Sequence, residues 1–189
     1  MILEGLVTTL DSHGNVNISP MGPRFDDGWD RFVLRPYQTS RTYRNLRRHG
    51  EGVFHITDDV DMLARAAVGQ LVLPSLVHPT EVQGAVIASA CRWYEFRVES
   101  LDDQDERTTI VCRVVHSGRI RDFIGFNRAK HAVVEAAILA TRLDHLPHNE
   151  IQSDLERLAI IVSKTAGDQE RRAFRFLREY LNARLSLGE

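Results

Sequence analysis

Residues 5–19, Gly-Leu-Val-Thr-Thr-Leu-Asp-Ser-His-Gly-Asn-Val-Asn-Ile-Ser, contain the pattern that decides the fold class. The first six residues have the β-branched content of a strand, residues 11–14 have the composition of a tight turn, and alternation resumes at Asn15. A Pro-Met-Gly-Pro sequence at residues 20–23 then interrupts the alternation. The pattern predicts a β-hairpin that ends in a rigid loop.

The remainder of the first half predicts more strands and two helices. Strands are expected at residues 31–37, 51–57, 90–100 and 107–116, the last two joined by an acidic turn at 101–106. A short helix is expected from Thr39 or Ser40 to about His49, because hydroxyl groups cap helix N-termini and Gly50 suits the position after the last turn. Residues 58–70 carry apolar side chains at helical spacing and predict a second helix.

The periodicity changes from two to about 3.6 after Gly118. Helices are predicted at residues 127–143, 150–165 and 168–185, the first rich in alanine on a face that packs closely. We therefore predict a mainly β protein with α-helices, organised as a β-domain at residues 1–120 and a C-terminal helical subdomain at residues 121–189.

The composition excludes several classes of partner. With 24 basic and 26 acidic residues, a net charge of −2 and a pI near 6.4, the chain has no global field that would attract nucleic acid or anionic lipid. No run is long and apolar enough for a membrane helix, and the first residues lack a signal-peptide pattern, so we expect a cytoplasmic protein. The spacing of the eight histidines and of Cys91 and Cys112 predicts no metal site.

One candidate site is the start of the helix near residue 40. Its N-terminus offers unpaired N–H groups and a partial positive charge, and hydroxyl groups and a guanidinium lie in the same turn. A phosphate would be held there by Thr39, Ser40, Arg41, Thr42 and Tyr43. The alternative is an ordinary capped helix with a solvated arginine face.

A second candidate is the strand end that follows the hairpin turn. An extended backbone presents donors and acceptors in one plane, which suits the edge of a flat heterocycle, and a methionine can pack on a ring face. The residues concerned are Asn17, Ile18, Ser19, Pro20, Met21 and Gly22. The alternative is a strand-terminating turn without a ligand.

A third candidate is the start of the alanine-rich helix. Asn127 is placed to cap it, whereas Arg128 and Lys130 lie where cations oppose the helix dipole unless an anion compensates. Either a ligand anion or partner acid balances these charges, or both side chains extend into solvent.

Taken together, these segments make the chain similar to the FMN-binding split-barrel flavoproteins, and most similar to the DUF447 family. The resemblance rests on residues 4–9, 17–22, 39–46, 55–59 and 127–143. It implies a Greek-key split β-barrel, a homodimer, and FMN at the subunit boundary with its phosphate near residues 39–44. One position departs from the family pattern, since His55 stands where the family has Asn.

The expected function is that of an FMN-dependent oxidoreductase, which moves a hydride or electrons between a nicotinamide or deazaflavin donor and a second small molecule. Arg41, Arg128 or Lys130 could stabilise the reduced flavin, and no proton donor is identified. The alternative is a protein that binds FMN or another phosphorylated ligand without turnover. RNA binding through the arginines of the first helix is a third possibility that the overall charge disfavours.

Overall fold

The computed structural model describes residues 1–143 and 145–185. Its strands are β1 (Gly5–Leu10), β2 (Val16–Met21), β3 (Arg24–Phe25), β4 (Arg31–Leu34), β5 (Glu51–Ile56), β6 (Leu76–Val77), β7 (Val86–Ile87), β8 (Arg92–Asp102) and β9 (Thr109–Arg119). Its helices are α1 (Arg41–His49), α2 (Val60–Ala67), α3 (Arg128–Ala140), α4 (His148–Thr165) and α5 (Asp168–Leu185). These elements form two compact units, one built from residues 1–57 and 73–123, the other from residues 58–72 and the chain from residue 124 onward.

The first unit is a curled antiparallel sheet of seven strands in the order β2-β1-β5-β8-β9-β4-β3. A bridge between Ile2 and Arg24 brings β3, at one end of this order, beside the residues that precede β1. Register shifts at Glu95/Phe96 and Val98/Ser100 add curvature along β8, as bulges do. The result is the split β-barrel that the family resemblance implies, with β6 and β7 as a separate two-stranded ribbon.

Aromatic and aliphatic side chains fill the barrel. Phe32, Phe54 and Phe96 are almost fully buried there, and the Phe32 ring contacts those of Phe96 and Phe54 at centroid distances of 5.0 and 6.2 Å. Gly5 is required where β1 meets β5, because a Cβ at that position would overlap the His55 carbonyl oxygen and the Phe54 ring. The interior is a packed apolar core, so any ligand site lies on its surface or at its ends.

Several element boundaries differ from those expected. β2 continues through Pro20 to Met21, because Pro20 lies on an edge strand where its missing N–H breaks no ladder. The two-residue strands β3, β6 and β7 were not predicted, since so few residues give no periodic signal. The third strand ends at Leu34 and not at Tyr37, which keeps only an isolated bridge to Arg107. The hairpin of β8 and β9 is confirmed, with its turn two residues later than expected.

The second unit consists of four helices around one apolar cluster. The alanines of α3, among them Ala129, Ala132 and Ala136, are completely buried and allow neighbouring helices to approach closely. Val60 and Leu63 of α2 belong to this cluster and not to the barrel core. The compact units therefore differ from the predicted division at residue 120, because α2 groups with the C-terminal helices although it precedes β6 in the chain.

Candidate functional site

The residues expected to face a flat heterocycle lie on an edge strand. β2 pairs with β1 along one side, with Asn17 opposite Thr9 and Met21 opposite Gly5. Within the described residues no strand pairs with its other side. The structure thus replaces the predicted turn at residues 20–22 with extended backbone up to Met21, followed by the exposed Gly22. An extended edge is better suited to a planar ligand than a turn, because its polar groups alternate in one plane.

The start of α1 has the features of an anion site. Ser40 is the N-cap, and its hydroxyl accepts a hydrogen bond from the Tyr43 N–H at 3.1 Å. The first turn contains no acidic residue, so nothing there neutralises the partial positive charge. Thr39 and Arg41 are exposed, and Arg41 makes no ion pair or hydrogen bond with any described residue. The guanidinium is therefore available to a ligand.

Hydrogen bonds join these two segments. The Asn17 amide nitrogen lies 3.1 Å from Ser19 Oγ and 3.3 Å from Thr42 Oγ1, so β2 is tied to the first turn of α1. On the same side, the Asn45 amide donates to Thr9 Oγ1 at 3.0 Å. Thr9, Thr42 and Asn45 are all buried. The sequence identified Asn17 and Thr42 separately, and the structure shows that they are neighbours.

Tyr43 has a different place from the one expected. Its ring is buried in the barrel core, and its hydroxyl donates to Asp103 at 2.7 Å while accepting from Arg47 at 2.9 Å. The hydrogen bond to Asp103 raises the pKa of the Tyr43 hydroxyl. The hydroxyl thus anchors α1 to the turn after β8, and a phosphate contact by Tyr43 stays a prediction.

His55 is also occupied by the fold. It is completely buried; its Nδ1 lies 3.1 Å from the Leu6 carbonyl oxygen, and its Nε2 accepts from the Ile87 N–H at 3.0 Å. This assigns the Nδ1-protonated tautomer, since Nε2 must be an acceptor. Burial lowers the pKa of His55 to about 4, so the ring is neutral near pH 7. The position that departs from the family pattern therefore links β1, β5 and β7.

The third predicted segment lies in the helical unit. Asn127 caps α3 as expected, and its Oδ1 accepts from the N–H groups of Ala129 at 2.8 Å and Lys130 at 3.0 Å. The Lys130 ammonium donates to the Asp58 carbonyl at 2.7 Å, to Gln169 Oε1 at 2.8 Å and to Glu170 Oε1 at 2.6 Å.

Of the alternatives given for Lys130, a ligand anion, a partner acid or solvent, these contacts favour the partner acid. Its three protons are used, and its charge is balanced by Glu170, of which only 7% of the side chain is exposed. Burial raises the pKa of Glu170, but the hydrogen bonds from Lys130 and the Gly167 N–H outweigh this and lower it. Arg128 differs, because it is exposed and makes no hydrogen bond or ion pair with any residue the structure describes.

A cleft of about 370 Å³ opens beside α1. Four residues of the helix line it at helical spacing, namely Arg41, Arg44, Asn45 and Arg48, and the β1–β2 hairpin forms the opposite wall. The sequence analysis placed the phosphate near residues 39–44, which include Arg44, but did not assign Asn45 or Arg48 to the flavin site. The signal was present, because positions i, i+3, i+4 and i+7 share one helix face.

Two features of the described residues bear on the kind of site. Within residues 1–143 and 145–185, no group of three or more His, Cys, Asp or Glu side chains could hold a metal ion. Across the same residues, no helix has the length and apolar character needed to cross a bilayer.

The fold is shared with flavoproteins of known structure. An FMN-bound protein from Methanosarcina mazei superposes with a TM-score of 0.79 at 23% identity, over 95% of this chain and 94% of that one. The 2-nitrobenzoate 2-nitroreductase of Pseudomonas fluorescens matches at a TM-score of 0.53 and 17% identity, over 61% of this chain and 64% of its own. The flavin reductase of styrene monooxygenase from Pseudomonas putida S12 matches at 0.51 and 14% identity, over 61% and 77%. The chain thus has the split-barrel fold of flavin reductases.

The family follows from the sequence itself. Residues 3–121 match the model of the DUF447 N-terminal domain, a protein family of unknown function, and residues 127–179 match the model of the DUF447 C-terminal region. The chain therefore belongs to the DUF447 family, as the sequence analysis indicated. A comparison with curated protein sequences found no match.

Proposed function

We propose that this protein is a flavoprotein that binds FMN on the first unit, with the phosphate at the start of α1 and the isoalloxazine ring along residues 17–22. The observation that carries the proposal is the hydrogen bond between Asn17 and Thr42. It joins an edge strand suited to a planar ring to a helix N-terminus suited to a phosphate, within the reach of one small molecule. The FMN reported in the Methanosarcina mazei protein supports this choice of ligand.

The residues present fit the chemistry of FMN. The first N–H groups of a helix have no acceptor within the helix, and Arg41 adds a charge without a partner in the described residues. Thr39 and Ser40 supply hydroxyl groups beside them. Along β2 the unpaired backbone edge offers donors and acceptors for the polar rim of the ring.

We further propose that the protein is an oxidoreductase. Bound FMN would supply hydride or electron transfer between a nicotinamide or deazaflavin donor and a second small molecule. The chain's own part is to bind the phosphate, to orient the ring along β2 and to shield one ring face. The split-barrel reductases among the structural neighbours support this assignment.

The second candidate function is binding of FMN or another phosphorylated ligand without turnover. Two titratable side chains near β2 and α1, His55 and Tyr43, favour this second function. Both are already engaged in structural hydrogen bonds. Stopped-flow reduction separates the two functions. An oxidoreductase is reduced by NADH, NADPH or a reduced deazaflavin faster than free FMN is, and a binding protein is not.

A homodimer with FMN near the subunit boundary completes the proposal. Ile2 lies beside Gly22 at the end of the proposed ring site, and 56% of its surface is exposed. An apolar side chain in this position suits coverage by a second subunit. Sedimentation of the protein with and without FMN tests this, with a stable monomer in both states as the contrary result.

Mass spectrometry of the ligand released from the native protein tests the central claim, together with titration of the ligand-free protein by FMN and riboflavin. The expected results are FMN in the released fraction and binding that is tighter for FMN than for riboflavin. A protein that binds neither flavin at micromolar concentration contradicts the proposal.

A further inference from the structure

The hydroxyl of Tyr94 is a polar group that the barrel core leaves without a hydrogen-bond partner. Only 7% of the residue is exposed, and its ring contacts those of Phe25 and Trp29 at centroid distances of 5.5 and 5.8 Å. No residue in the described part of the chain forms a hydrogen bond with this hydroxyl. Buried tyrosine hydroxyls usually have such a partner, so the Tyr94 hydroxyl is available to a ligand.

The surroundings of this hydroxyl favour a hydrogen-bond acceptor. Burial raises the pKa of Tyr94, so the group stays protonated and can donate. The nearby charge is that of Arg92, which lies two residues earlier and so on the same face of β8, and which acts on the pKa in the opposite direction. Arg92 is exposed and forms no ion pair or hydrogen bond within the residues described. A neutral donor beside a cation suits an oxygen atom with negative partial charge.

Trp29 covers Tyr94 from the loop between β3 and β4. Among the described residues it alone, apart from glycines, has a positive φ, of 61°, a conformation that bulky residues rarely adopt. This backbone conformation places the indole on the Tyr94 ring, with 24° between the planes, and 4.8 Å from the Phe25 ring. The residue is nevertheless 37% exposed. The strained loop thus presents an apolar aromatic surface beside an unpaired hydroxyl.

These side chains lie at the end of the barrel where the proposed flavin ring lies. Met21, the last residue of β2, packs against the same apolar cluster as Phe25 and Tyr94. Phe25 follows Gly22 by three residues, and its ring contacts both Trp29 and Tyr94. A small molecule at Tyr94 is therefore close to a ring placed along residues 17–22.

We propose that Tyr94 and Trp29 bind the second substrate of this flavoprotein, a planar carbonyl compound whose oxygen accepts a hydrogen bond from the Tyr94 hydroxyl. The inference rests on the proposed function, because FMN along residues 17–22 would be the reaction partner. The hydroxyl and the Arg92 charge select an oxygen acceptor, and the Trp29 ring selects a flat carbon skeleton. A hydrogen bond to the oxygen also polarises the carbonyl toward accepting a hydride.

Binding of two probes to the FMN-loaded and the ligand-free protein, measured by ligand-observed NMR titration, tests this. Acetophenone and ethylbenzene have the same ring and differ at the carbonyl oxygen. The Y94F variant keeps the ring that contacts Phe25 and Trp29 and removes only the hydroxyl, whereas W29A removes the apolar surface. Y37F is the matched control, because Tyr37 is half exposed and lies under the Arg107 guanidinium.

We expect the wild-type protein to bind acetophenone more tightly than ethylbenzene. Y94F should weaken acetophenone binding about tenfold, as loss of one hydrogen bond does, and change ethylbenzene binding less than about twofold. W29A should weaken the binding of both probes, and Y37F should change neither. In the FMN-loaded protein, acetophenone should shift the flavin absorption band. Y94F should unfold at the same urea concentration as the wild type, because its hydroxyl has no partner to lose among the described residues.

Three results overturn the proposal: equal affinities of the two probes for the wild-type protein, equal acetophenone affinities of the wild type and Y94F, or acetophenone binding that leaves the flavin band unchanged. Failure of the proposed function is visible separately, as a wild-type protein that binds no flavin. The two probes contain no flavin, so their binding to the ligand-free protein is measured independently of that result.

Discussion

The Asn17 side chain on β2 donates a hydrogen bond to Thr42 Oγ1 in the first turn of α1, at 3.3 Å. Thr42 is 1% exposed, whereas Asn17 is half-buried, so the contact lies at the boundary between the protein interior and its surface. It fixes the distance between the edge of the sheet and the N-terminus of the helix. The proposed ring site and phosphate site are therefore parts of one rigid surface.

Arg41→Ala should weaken the binding of FMN about tenfold and leave the binding of riboflavin unchanged. Only FMN carries the phosphate that the guanidinium is proposed to contact. Arg41 has no partner among the described residues, so its removal leaves no buried charge behind. Flavin fluorescence titration measures both affinities, with Arg47→Ala as the control from the same helix. Equal losses for the two ligands would mean that the phosphate lies elsewhere.

Thr42→Val should both weaken FMN and reduce the free energy of unfolding by about 1 kcal/mol, since the side chain keeps its shape but loses the hydroxyl that Asn17 contacts. Thr42→Ser retains the hydroxyl and should keep the FMN affinity within about twofold. Urea unfolding and FMN titration are the measurements. If valine and serine bind FMN equally well, the contact has no part in arranging the site.

The local parts of this site are predictable from sequence. The hairpin of β1 and β2 has its turn residues, and α1 has Ser40 before it and Gly50, with φ of 74°, after it. Both elements form through interactions between neighbours in the chain. The family resemblance then supplied the ligand, and the family match confirms that resemblance.

The contacts between distant residues are not predictable in the same way. Asn17 and Thr42 are 25 residues apart, and Lys130 and Glu170 are 40 apart, so no local pattern reveals either pair. The sequence left open whether Lys130 meets an anion or extends into solvent. It could not show that the anion is Glu170, because this depends on how α5 packs against α3.

His55 should make the protein less stable as the pH falls below about 6.5. Its pKa is about 4 when folded, against 6.5 for an unperturbed histidine, so the unfolded chain binds the proton first and stability is lost between these values. The full loss in the free energy of unfolding is about 3 kcal/mol. Denaturant unfolding at a series of pH values measures it. His55→Gln should lack this part of the pH dependence, whereas His13→Gln, at an exposed turn, should retain it.

Glu95 should hold the loop at residues 80–82 through its ionised carboxylate. Burial raises its pKa, but the N–H groups of Thr80, Glu81 and Val82 and the Trp93 indole outweigh burial and lower it. Its stabilising effect is therefore present above the unfolded pKa and is lost as the pH falls through the folded value. Glu95→Gln should lower the free energy of unfolding by about 2 kcal/mol at pH 7, because the NH₂ group of the glutamine would face N–H donors.

A matched control for Glu95→Gln is Glu99→Gln, since Glu99 pairs with the exposed Arg31 and Arg113. Exposed ion pairs contribute little to the free energy of unfolding, so this change should destabilise the protein much less than Glu95→Gln does. Urea unfolding of both variants at pH 7 and pH 4 gives the comparison. A loss of stability in the Glu95 variant no larger than in the Glu99 variant would contradict the role assigned to Glu95.

Lys130→Met should destabilise the helical unit by about 3 kcal/mol, because it leaves the carboxylate of Glu170 buried without its cation. Adding Glu170→Gln removes the unpaired charge and should recover part of the loss, which a ligand-binding lysine would not show. FMN affinity, measured where each variant is folded, should change by less than about twofold. A large loss of FMN affinity without loss of stability would instead return Lys130 to the cofactor site, so unfolding and FMN titration of the same three proteins decide between the two roles.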